Sequence, residues 1–211
     1  NWIAASTILA LRYLCLLITL FLPAFYVAVV TYQPGIIPTR LALSIIAAKQ
    51  DVPFRSAFEV IVLLLAFEIL QEAGLRLPQS IGQTVSIIGG LVVGSAAVEA
   101  KIVSPAVLIA VAIAGVAGYT MPSQDFGNAL RLWRFGLTVL SSLGGLFGLV
   151  LGCVSLLYHL AGLESFDVSY LSPFATESDG PEQGSGLIRR PLPRVKWRPA
   201  AIHPANRRNQ R

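Results

Sequence analysis

From Phe135 to Tyr158 the chain carries no Lys, Arg, Asp, Glu or His for twenty-four residues, and that run dictates the solvent in which it folds. A helix rises about 1.5 Å per residue, so the run spans roughly 36 Å, enough to cross a hydrocarbon core of about 30 Å with some tilt. Arg131 and Arg134 stand at one margin and His159 at the other, with Trp133 and Tyr158 where amphipathic rings favour the headgroup level. Leu14–Tyr32, Ile81–Val98 and Ile102–Tyr119 read the same way. With 55% hydrophobic and 13% charged residues, a soluble domain would carry more apolar surface than it could bury. The runs do not alternate apolar and polar residues, which excludes a β-barrel reading. The expected fold is all-α: a polytopic helical membrane domain over residues 1–163, with four transmembrane helices at about 11–32, 81–98, 102–120 and 134–160. Arg12 before an apolar run resembles a signal peptide, but three more spans follow and no small-residue cleavage site is evident. A chain starting at Asn1 is expected to be a piece of a longer protein with a domain upstream.

Residues 33–80 are the least ordinary part. Pro34, Gly35 and Pro38 end the first span, Thr39 is placed to cap a short helix at about 39–50, and Asp51-Val52-Pro53 breaks it. A second helix at about 54–73 stops at Gly74. It is hydrophobic yet carries Glu59, Glu68 and Glu72, and an acid at mid-bilayer costs roughly 3 kcal/mol even on insertion scales. Arg55 lies four residues before Glu59 and Arg76 four after Glu72, whereas Glu68 has no cation at helical spacing and should face protein, water or a cation rather than lipid. Either both short helices are re-entrant or interfacial, with the acids bonded to other helices, or Glu68 and Glu72 line or gate an ion path. Glu99 reads as a turn residue paired beside Lys101.

Small residues recur four apart: Gly90 with Gly94, Ala114 with Gly118, Ser141 with Gly145, and Gly144, Gly148 and Gly152. Such faces let helix backbones approach closely in lipid and favour a tight bundle or an oligomer. Gly89 to Gly94 sits inside an apolar helix with no strand before it, so it is not a nucleotide loop. Cys15 and Cys153 lie within spans as small hydrophobes, and His159 and His203 stand alone in sequence. No metal, cofactor or nucleophilic constellation can be assembled, and an enzyme is not expected. A transporter finds little support, since no inverted repeat is visible and no span is clearly broken at its middle.

Beyond Leu160 the composition changes. Residues 161–211 hold eight of the sixteen Lys and Arg with five acids, and Gly, Pro and Ser run through Ser178–Gly186. Residues 164–211 are expected to form a disordered cytoplasmic tail, with Tyr170–Phe174 able to dock on the bundle. Arg189, Arg190, Arg194, Lys196 and Arg198 mark the cytoplasmic side and are candidate contacts for anionic lipid. A net charge of only +5 and the lack of a nucleic-acid fold argue against nucleic acid as the tail's partner. Charge counting slightly favours five spans over four.

Several stretches carry a family resemblance. Phe67-Glu-Ile-Leu-Gln-Glu-Ala-Gly-Leu-Arg-Leu-Pro-Gln-Ser-Ile-Gly-Gln83, Ile87-Ile-Gly-Gly90 and Ala96-Ala-Val-Glu-Ala-Lys-Ile-Val-Ser-Pro105 resemble the membrane domain of the A subunit of spore germinant receptors, the GerA family. Leu11–Leu14, Ile36–Thr39, Arg131–Phe135 and Tyr170–Phe174 match the same pattern, and Ala200–Arg211 departs from it. The resemblance implies a subunit of a nutrient-responsive complex in the inner membrane of a bacterial spore. It implies an oligomeric cation-conducting channel working with a transporter-like B subunit that senses the nutrient and a lipoprotein C subunit. It also implies a cytoplasmic N-terminal domain, which favours four spans. A non-conducting scaffold that anchors the sensing subunits is the alternative function, and a sporulation-stage paralogue resembles the same stretches.

Overall fold

The computed structural model describes residues 2–76, 78–165 and 168–171. The helices are α1 (Trp2–Tyr32), α2 (Thr39–Lys49), α3 (Ser56–Leu75), α4 (Gln79–Glu99), α5 (Pro105–Gly118) and α6 (Gln124–Ala161), with a 3-10 turn at Pro34–Ile36. The all-helical expectation holds, with one small exception. Glu164–Ser165 (β1) and Val168–Ser169 (β2) pair antiparallel at the start of the segment expected to be disordered. Cys15–Cys153 forms one compact unit, and the described residues on either side of it, 2–14, 154–165 and 168–171, belong to the other. In the latter, the Tyr170 N–H donates to the Leu163 carbonyl across that ribbon. The remainder of the tail, with Arg189, Arg190, Arg194, Lys196 and Arg198, lies outside the described residues.

The core of the Cys15–Cys153 unit is aliphatic: Val27 of α1, Val60, Leu63 and Leu64 of α3, and Val103, Val107 and Val111 in and before α5. α3 and α4 are antiparallel, because Gly74 meets Gly82, the Ser86 hydroxyl donates to the Leu70 carbonyl at 3.0 Å, and Phe67 lies over Gly90. The stop expected at Gly74 is therefore a contact. The helix continues to Leu75, and a methyl group on Gly74 would overlap the Ser86 side chain and come within 2.8 Å of the Gly82 carbonyl oxygen. Gly74→Ala is expected to destabilise the fold by about 1–3 kcal/mol through forced separation of α3 and α4, read as a lower melting temperature in detergent.

Other boundaries also differ from expectation. Thr39 falls at the first helical position behind Pro38, so it caps nothing. α5 has fourteen residues, about 21 Å long and short of a bilayer core, because the chain before Pro105 is spent on ending α4. Lys101 adopts φ 56°, and the Lys101 and Ile102 N–H groups donate to the Val98 and Ala97 carbonyls. This is the left-handed C-terminal cap usually given to glycine. Lys101 reaches Asp51 at 2.7 Å, so its partner is across the fold rather than the neighbouring Glu99.

The largest departure lies in the longest apolar run. By length and composition Trp2–Tyr32 and Asp125–Ala161 are able to cross a membrane. Gly145, however, has φ 60° and ψ −137°, which breaks α6 into arms 124–144 and 146–161. Fifteen residues of straight helix separate their ends by about 22 Å. Yet the Gly152 Cα faces the Leu137 and Leu140 side chains, and Gly148 lies against the Leu140 carbonyl. Residues 146–153 are folded back on the first arm. The expectation of one unbroken span is corrected, and the reason is local: glycine alone tolerates this backbone region at little cost. Tyr32 secures the break, its hydroxyl donating to the Ser142 carbonyl at 2.7 Å and the Leu143 carbonyl at 3.1 Å, two acceptors left open where the first arm ends.

Much apolar surface faces outward. Along the second arm Phe147, Val150, Leu151, Val154, Leu157 and Tyr158 are all exposed. Such a stripe needs a non-aqueous neighbour.

Candidate functional site

Two polar clusters, one buried and one part-buried, adjoin the aliphatic core, and α3 supplies an acid to each. Glu59 is 1% exposed. One carboxylate oxygen accepts the Ser104 N–H at 2.8 Å and the other lies 3.3 Å from the Lys49 ammonium, which also donates to the Ser56 hydroxyl. Ser104 is the N-cap of α5, so Glu59 places negative charge at the positive end of that helix. Arg55, expected as its partner by spacing, is the N-cap of α3: its carbonyl accepts the Glu59 N–H, but its dihedrals are extended and the carboxylate pairs with Lys49 instead. Glu59 was not singled out from sequence, where three acids on one helix gave no means of ranking burial.

Glu68 forms the second cluster. Its carboxylate accepts from Arg131 at 3.0 Å and from Arg134 at 3.4 Å, tying α3 to the first arm of α6. Arg134 is 2% exposed, an extreme for arginine, and the Thr138 hydroxyl donates to the Arg134 carbonyl. The cations that sequence spacing could not supply to Glu68 come from 63 and 66 residues downstream. By sequence the two arginines read as margin markers of a span. Their spacing three apart, on one face of a helix, was the available signal. Glu72 does not join this cluster: it is mostly exposed and pairs with Arg76 at 3.6 Å.

The small-residue candidates divide by contact. Gly90 packs under Phe67 of α3 and Gly94 under Leu108 of α5. The Ser141 hydroxyl donates to the Ala24 carbonyl of α1 at 2.6 Å. Gly145, Gly148 and Gly152 serve the fold-back, while Gly144 is exposed. Cys15 and Cys153 are free thiols.

A helical chain with outward apolar faces and two helices long and apolar enough to cross a membrane has the character of a membrane protein. The chain belongs to the Bacillus/Clostridium GerA spore germination protein family, whose profile matches residues 1–201. It is 37% identical to spore germination protein B1 of Bacillus subtilis over 211 residues, which is 100% of this chain and 44% of that protein. It is 43% identical to spore germination protein KA of B. subtilis, over 92% of this chain and 34% of that protein. It is 45% identical to the B. subtilis protein named "Uncharacterized membrane protein YfkQ", over 82% of this chain and 34% of that protein. The chain thus spans less than half the length of these relatives. No solved structure matches it.

Proposed function

We propose that this chain is the membrane portion of an A-type germinant-receptor subunit in the spore inner membrane, acting as an oligomeric cation-conducting channel gated by B and C partner subunits. In this reading the domain is polytopic, with both ends cytoplasmic. α6 enters as a folded hairpin of 21-residue and 16-residue arms, and α2 lies in the interface. α2 suits the interface because it buries no residue and exposes Leu41, Leu43 and Ile46 beside Arg40. Glycines at 90 and 94 and the α6 hairpin make each protomer compact enough to assemble.

The observation that carries the channel reading is the Glu68 bridge to Arg131 and Arg134. A single carboxylate held between two guanidiniums joins α3 to a helix already broken at a glycine, and such a bond can hold or release a moving element. Glu68 is then the gating contact, and Glu72, exposed beside Arg76, is the carboxylate open to a cation path. Removing the Glu68 charge leaves two uncompensated cations and raises the electrostatic barrier to cation entry. Full-length Glu68→Gln protein, reconstituted in liposomes with its partner subunits, is expected to lose at least about tenfold in cation flux at unchanged oligomer size, a change of about 1.4 kcal/mol in barrier. Equal flux in wild type and variant would remove Glu68 from the gate. Absence of flux from a well-assembled wild type would favour the scaffold, in which substitutions at Gly90 or Gly94 abolish assembly and charge changes on α3 are silent.

A further inference from the structure

A cavity of about 30 Å³ lies between α1, α3, the α5–α6 connection and α6, lined by Thr19, Gln71, Tyr119, Leu130, Arg131 and Arg134 among others. Three of these residues are more than nine-tenths buried and each has a polar atom without a hydrogen-bond partner: the Thr19 hydroxyl, the Gln71 amide oxygen and the Arg134 Nε–H. Orphaned polar atoms are rare and cost about 1–3 kcal/mol each, so three around one cavity call for a shared partner. That partner is small, because the space is about that of one water molecule.

Charge narrows its chemistry. Among the described residues, Glu68 is the carboxylate paired with both Arg131 and Arg134, so the cluster retains one positive charge. A buried guanidinium without full compensation is unfavourable, and a cation would worsen it. We propose that the cavity is a binding site for one small monovalent anion of halide size. The anion accepts from Arg134 Nε–H and the Thr19 hydroxyl and, with the Gln71 amide turned over, from its Nε2–H. It completes the charge balance that Glu68 alone leaves unfinished. The site is independent of whether the assembly conducts.

The test uses full-length protein in detergent, with chloride replacing gluconate at constant ionic strength. Gluconate is too large for the cavity. The melting temperature is expected to rise by about 3–6 °C and level off as chloride fills the site. Thr19→Val and Gln71→Leu, which keep every charge, are expected to flatten the curve. Thr19→Val is the conservative variant should Gln71→Leu fail to fold. Crystals grown in bromide should show an anomalous peak within hydrogen-bond reach of Arg134 Nε. Identical curves in chloride and gluconate, or a water in place of bromide, would overturn the site in favour of a structural water. Neither readout depends on flux, so failure here and failure of the channel reading are separable.

Discussion

Replacing Glu59 by alanine is expected to destabilise the Cys15–Cys153 unit by about 3–5 kcal/mol, the cost of breaking a buried ion pair by removing one partner. The carboxylate is wholly enclosed, and its loss strands the Ser104 N–H at the start of α5 and the Lys49 ammonium, which keeps only the Ser56 hydroxyl. Glu59→Gln should cost less, since its amide oxygen still accepts from Ser104. Replacing both charges, as Glu59→Leu with Lys49→Met, should recover much of the loss, because two apolar groups leave no stranded charge. Denaturant titration of the three variants in detergent checks the order. A loss below about 1 kcal/mol for Glu59→Ala would mean that water reaches the pair and the burial argument fails.

Gly148→Val is the second large effect, expected to open the hairpin in α6. A side chain at this position would overlap the Leu140 carbonyl, a backbone group that cannot swing aside, so relief requires the arms to separate. Spin labels at Leu132 and Leu151, both exposed, report the change directly. On a straight helix these sites are about 28 Å apart along the axis. The folded wild type should give a clearly shorter distance, and Gly148→Val should move toward the straight value. A wild-type distance near 28 Å would show the hairpin does not form in the full protein. Gly144→Ala, at an exposed position, should leave the distance unchanged.

Much of the helical layout was legible along the chain. The breakers at Pro34 and Pro53 and the connection before Pro105 place the end of α1 and the bounds of α2 to α5 within a few residues, because those signals are local, whereas α1 and α6 begin about ten residues before the apolar runs. The candidate site was legible only in part. Glu68 stood out as an acid needing a partner, but its partner on α6 is invisible to any rule that looks three or four residues away. Glu59 illustrates the reverse: an apparent partner at Arg55 satisfied the spacing rule, and the chain geometry before Ser56 voided it.

The Phe135–Tyr158 run draws the boundary between the two kinds of information. Its composition alone determined that these residues form helix and avoid water, since both follow from side-chain transfer energy and unmet backbone bonds. Whether the run stays straight was open, because two adjacent glycines permit either backbone path. Tertiary contacts decided it: Tyr32 satisfies the carbonyls exposed at the break, and Leu137 and Leu140 fill the space that Gly148 and Gly152 leave. The same holds for charge. The sequence set how many ionisable groups an apolar domain must shelter, and only the packing of α3 against α5 and α6 selected which of them meet.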